Sequence, residues 1–112
     1  MPTQNESMRD LQSTLLRQFK KLHDSLDDVS DADRADAIVR EMQEVNHRIA
    51  MAGGLLFAAQ ASELDEKVAD VSKAIRKVNA AIADVKNLQA FLDAMTEFLG
   101  LVDEAIDLAK TL

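Results

Sequence analysis

Residues 64–106 read LDEKVADVSKAIRKVNAAIADVKNLQAFLDAMTEFLGLVDEAI, and this stretch decides the fold. Every seventh position is apolar: Leu64, Val71, Val78, Val85, Leu92, Leu99 and Ile106. A second row, Val68, Ile75 and Ile82, falls between them at spacings of three and four, which is the seam of a packed helix. The run has no proline, and its first glycine is Gly100. Read as one helix from Glu63 to Lys110 it would be about 70 Å long at 1.5 Å per residue, longer than any partner elsewhere in the chain. It must therefore break, with Lys86-Asn87 the natural place, or be covered beyond that point by the first helix or another chain.

The seam changes character at the same place. The steps Ile82 to Val85 to Leu88 are both three residues long, a stammer that overwinds or interrupts a coiled coil. Beyond it the apolar face widens to Leu88, Phe91, Leu92, Met95, Phe98, Leu99, Val102 and Ile106. A chain of 112 residues has few helices with which to cover both a narrow seam and a wide face. The eight residues from Leu88 to Ile106 are thus expected to be an interface, with Asp93, Glu97, Asp103 and Glu104 as an acidic steering rim.

Working backward, Ile49 to Ala61 is the longest uncharged apolar stretch, too short to span a bilayer as a helix. An apolar row runs through it as Ala35, Ile38, Met42, Val45, Ile49, Ala52, Leu56 and Ala59, preceded by Ser30 as a capping residue. Its phase passes through Gly53-Gly54 undisturbed, so the helix is expected to continue across the pair. Gly53 and Gly54 are then where another helix packs closest, because two helical glycines cost about 2 kcal/mol relative to alanine and need compensation. The turn is expected at Gln60-Ala61-Ser62, where the phase slips and Ser62 can cap an acidic first turn. At the start of the chain, Thr3 and Glu6 have capping-box spacing. Met8, Leu11, Leu15, Phe19, Leu22 and Leu26 then line one face of a helix that stops near Asp28, with residues 1–5 expected to be disordered.

Composition agrees with helices throughout: hydrophobic residues are 47%, aromatic residues 4%, and there are only 3 Gly and 1 Pro. There is no Cys, so neither disulfides nor thiolate chemistry are available. The formal charge of −7 weighs against nucleic acid, which requires counterion-releasing basic surface. The acidic C-terminal segment suits a basic protein as partner, and the apolar face 88–106 suits a second copy of the chain. The first residues show neither a basic n-region nor an apolar h-region, so the chain reads as cytoplasmic.

Motifs with chemical content are few. Glu44 and His47 have the Glu-x-x-His spacing of dimetal sites in helical bundles, which offers a metal-binding alternative, although a second such element is missing. His23 beside Asp24 has no nucleophile tied to it. Gly53-Gly54 lacks the surroundings of a phosphate loop. Lys67, Lys73, Arg76 and Lys77 alternate with Glu63, Glu66 and Asp70, as on a salt-bridged helix surface. The segment 49–61 could alternatively be the tip of a membrane-active hairpin, although the interfacial Trp and Tyr of such tips are missing.

The expectation is an all-α antiparallel bundle of three or four helices in one domain, with a long coiled-coil-like C-terminal helix. Its expected role is non-enzymatic and without cofactor or catalytic residues: a helical scaffold, adaptor or acidic inhibitor that self-associates through residues 88–106.

Overall fold

The computed structural model describes residues 4–84 and 86–112. Four helices account for most of them: α1 (Glu6–Ser25), α2 (Ala32–Gly54), α3 (Ser62–Ala83) and α4 (Leu88–Lys110). The bundle measures 49 × 21 × 17 Å. α1 packs against α2 and α3, and α4 packs against α3 and α2. The pairs α1/α4 and α2/α3 therefore lie across the diagonals. Neighbours in sequence run antiparallel, so α1 lies parallel to α3 and α2 parallel to α4. Side-chain bonds fix this register: Gln18 to Asn79 between α1 and α3, and Arg48 to Asp103 between α2 and α4.

The seam of residues 64–106 belongs to two helices, not one long one. α3 ends at Ala83, and α4 begins after Asn87, its cap, the Asn87 side chain accepting from the Ala90 amide at 3.1 Å. The break falls at the expected place because a short polar side chain can satisfy an orphan amide there. Val85, counted in the seam, lies outside the described residues, as does Thr3.

Other helix ends differ by a residue from the sequence reading. α2 is capped by Asp31, not Ser30, the carboxylate accepting from Asp33 N at 2.9 Å. α1 gives way after Ser25 to one 3₁₀ turn, Leu26–Asp28. Ser62 is the first residue of α3 and makes no cap; the residue before it, Ala61, has no side chain to offer. α2 includes both glycines but stops at Gly54, so the connection to α3 is Leu55–Ala61. The turn expected at Gln60-Ala61-Ser62 thus begins earlier, directly after the glycines.

Asn5 belongs to the fold and not to a loose tail. It is buried, its Oδ1 caps α1 at Met8 N, and its Nδ2 donates to the carbonyls of Ala58 and Ala59 at 3.0 and 3.1 Å.

Each helix contributes one apolar stripe to a common core. Met8, Leu11, Leu15 and Leu22 come from α1, and Ile38, Val45 and Ala52 from α2. Leu64, Val68, Val71, Val78 and Ile82 come from α3, and Phe91, Met95, Phe98, Leu99, Val102 and Ile106 from α4. Burying one such side chain stabilises by about 1.5–3 kcal/mol, several times a surface ion pair. The greasy stripes therefore set the assembly, and the charges refine it. One polar atom is left over inside: Gln18 Oε1 is buried without a partner, although Gln18 Nε2 bonds Asn79 at 3.2 Å.

Candidate functional site: the outer helix faces

The expected interface of α4 is interior. Phe91, Met95, Phe98, Leu99, Val102 and Ile106 are buried within a single copy, and Leu88 and Leu92 are half-buried against the same core. The premise that one copy could not hide them fails because α1 and α2 both bring apolar stripes to bear on the bundle axis. Four facing stripes close a core that three would leave open.

The acidic rim is also committed. Asp103 pairs with Arg48 of α2, Glu97 with Lys77 of α3 at 2.7 Å, and Glu104 with Lys67 of α3 at 3.4 Å. Asp93 accepts from Gln89 at 2.9 Å. The basic residues of α3 were expected to pair along their own helix, and two of them instead reach across to α4. The bond to Glu97 raises the Lys77 pKa above its ordinary value.

Arg48 is the most enclosed of these charges, its side chain only 13% exposed. Its Nε and Nη2 donate to the two carboxylate oxygens of Asp103 at 2.7 and 2.9 Å, and Nη1 donates to Glu44 at 2.9 Å. The bond to Asp103 outweighs burial and raises the Arg48 pKa. Glu41, one turn earlier, is pushed upward by burial first and by the neighbouring Glu44 second.

The metal reading finds no support in this geometry. Glu44 is engaged by Arg48, His47 is exposed, and among the described residues no three ligating side chains come together. His23 and Asp24 lie 3.8 Å apart on open surface. Close packing at the glycines is also not found. A Cβ on Gly53 would meet only the end of the Gln12 side chain, at 2.7 Å, and one on Gly54 would meet nothing within 4 Å. The neighbour at Gly53 is thus a side chain, and no second helix backbone approaches.

The 49–61 segment spends most of its apolar side chains indoors: Ala52 is buried, and Ile49, Met51, Leu55, Leu56 and Ala58 pack on the core. Phe57 stands out at 61% exposure. Among the described residues no helix is long and apolar enough to cross a membrane.

One outer face remains apolar. Leu16 of α1 is 52% exposed and Val39 of α2 is 41% exposed. Gln12 donates to the Ile49 carbonyl at 3.3 Å, which sets the antiparallel register of α1 on α2. In that register Phe19 comes level with Met42, and both are half-buried. Leu16, one turn beyond Gln12, lies along this boundary. Val39 lies on the flank of α2 away from Arg48 and hence away from α4. Ser13, Gln43, Asn46 and Ala50 extend the same uncharged strip by helical spacing. The sequence contained these residues, but an isolated Leu or Val off the main stripe gives no signal until its neighbours are known.

No family model, no curated protein and no solved structure corresponds to this chain.

Proposed function

We propose that this protein is a non-enzymatic helical interaction module whose docking surface is the outer face of α1 and α2, and that its partner there is a second copy of the chain. The observation that carries the reading is the pair of exposed aliphatic side chains on this face, Leu16 and Val39, offset by about 9 Å along the helix axes and bordered by the neutral Ser13, Gln43, Asn46 and Ala50 as well as by Lys20 and Asp36. A helical surface otherwise dense in ion pairs has little reason to leave both open unless they dock.

Charge supports a second copy as the occupant. α1 and α2 together carry seven basic and seven acidic residues, whereas α4 carries one basic and five acidic. A molecule of net charge −7 is repelled by its own copies where acidic residues dominate, as on α4, and the balanced α1–α2 face carries no such penalty. A two-fold contact would set each Leu16 and Val39 against their counterparts, as self-complementary interfaces do.

The test is solution mass by light scattering across a range of concentrations, for the parent and for Leu16→Asp with Val39→Asp. The expected result is a concentration-dependent dimer for the parent and a 12.3 kDa monomer for the variant, with unchanged helical circular dichroism. A parent that stays at 12.3 kDa to millimolar concentration, or a variant whose mass matches the parent dimer, overturns the assignment.

A further inference from the structure

The connection between the two hairpins is made of the wrong residues for a turn. Leu55–Ala61 reads Leu-Leu-Phe-Ala-Ala-Gln-Ala, with no Gly, Pro, Asn, Asp or Ser. Reversals draw on those residues, whereas Leu, Ala and Gln are among the better helix formers. Such a conflict between local preference and global path is a sign of a second accessible conformation.

The backbone is already most of the way to a helix. The amides of Leu55, Leu56 and Ala58 bond the carbonyls of Ala52, Gly53 and Leu55, so the chain keeps turning through Ala58. Leu55 departs mildly from the helical path, at φ −109° and ψ 12°, and Ala61 is extended at φ −148° and ψ 145°. No described residue of the connection has a positive φ, so nothing in it is locked into a conformation that helices forbid. The α2 phase slips at Gln60-Ala61-Ser62, but the α3 phase reaches back into the connection: Phe57, Ala61, Leu64, Val68 and Val71 follow at spacings of four, three, four and three. A continuous helix would carry the exposed Phe57 onto the core stripe of α3.

Asn5 holds the reversal closed. Its backbone amide donates to the Leu56 carbonyl and its Nδ2 to those of Ala58 and Ala59. In a continuous helix these carbonyls would instead accept from the amides of residues 60, 62 and 63. The last two lie in the first turn of α3, which has no side-chain cap.

We propose that Leu55–Ala61 is a hinge through which two copies exchange hairpins. When Asn5 releases the connection, α2 and α3 fuse into one helix over 32–83. The α1–α2 hairpin of each copy then packs on the α3–α4 hairpin of the other. The contacts within each hairpin are kept, and those between hairpins, α1 with α3 and α2 with α4, are remade between copies. The diagonal placement of α2 and α3 suits this exchange. A two-fold axis perpendicular to that diagonal sets α2 of one copy in line with its own α3 in the second bundle. The exchange goes beyond the docking of α1–α2 faces and does not use them.

Asn5→Asp is the discriminating variant, because Asp caps a helix as well as Asn does but cannot donate to Ala58 and Ala59. Each copy loses two donors, so the dimerisation constant is expected to rise about 100-fold or more. Spin labels at Asp36→Cys and Arg76→Cys, in a chain with no other cysteine, read the geometry. In the exchanged dimer they stand about 60 Å apart along one helix, beyond the 49 Å length of the closed bundle. Adding Ala59→Gly and Gln60→Gly should abolish both the dimer and the long distance. Adding Leu16→Asp and Val39→Asp should leave both in place, which separates this exchange from docking of the α1–α2 face. An Asn5→Asp protein, helical by circular dichroism, that stays monomeric after refolding at high concentration overturns the proposal. So does a dimer without the long distance.

Discussion

Arg48 on α2 grips Asp103 on α4 through two parallel hydrogen bonds of 2.7 and 2.9 Å, joining helices whose contact is otherwise side chain on side chain. α2 and α4 are parallel and separated by the whole of α3 in sequence, so this bond secures one of the two pairings that no short loop enforces. Arg is suited to it, since its fork matches both carboxylate oxygens.

Arg48→Met should therefore lower the unfolding free energy by about 1–2 kcal/mol in urea titration, because it leaves Asp103 and Glu44 without their shared cation. Lys67→Met, which breaks the more exposed 3.4 Å pair with Glu104, should cost less than about 0.5 kcal/mol. Equal losses for the two variants would show that enclosure of Arg48 adds nothing.

Glu41 gives a pH dependence of definite sign. Burial and Glu44 raise its pKa in the folded chain above the ordinary 4.5, so the folded state prefers the protonated form. Its contribution is most favourable in acid below 4.5 and is lost as pH rises through the folded value. Glu41→Gln should accordingly be more stable than the parent at neutral pH, with the difference closing as pH falls below 4.5. Thermal unfolding of both proteins over that range checks it; a difference that widens in acid would contradict the sign.

The glycines separate by what surrounds them. A Cβ on Gly100 meets nothing within 4 Å, and Gly100 lies inside α4. Gly100→Ala should stabilise the fold by about 1 kcal/mol, the helix propensity difference. Gly53→Ala places its Cβ 2.7 Å from Gln12 Nε2, so the Gln12 side chain must move and give up its bond to Ile49. The propensity gain is then offset, and melting temperatures should rise for the first variant and stay level or fall for the second.

Inside the core, Phe98→Ala should cost about 3–5 kcal/mol through the lost contacts and the cavity left behind. Leu99→Asp should unfold the chain outright, because it buries a carboxylate among apolar neighbours. A folded Leu99→Asp monomer would mean that the α4 stripe is less sealed than its burial implies.

The α3 seam was legible because all five of its apolar steps, from Leu64 to Ile82, are of four or three residues and its polar residues alternate with them. The break at Lys86-Asn87 was legible for the same reason, since the phase itself changes there. Where the α4 stripe goes was not legible: Phe91, Phe98 and Val102 announce that they will be covered, but not by what. The cover comes from α3 and α2, with α1 closing the core across the diagonal, and hydrophobic periodicity carries no information on which faces meet. The reversal at Leu55–Ala61 was legible at its far end, Gln60-Ala61, where the phase slips, but its start directly after Gly54 was not. Its own residues favour a helix, and the group that bends it is Asn5, more than fifty positions away. The strip at Leu16 and Val39 has no pattern of its own at all.

The four phenylalanines fall one by one on the features that matter. Phe91 and Phe98 are sealed in the core, Phe19 lies along the α1–α2 boundary, and Phe57 stands free on the connection. With no Trp or Tyr to mask them, fluorinated phenylalanine would give this protein four resonances, each a native reporter. Packing, docking and hinge opening could then be watched in one spectrum without altering the backbone.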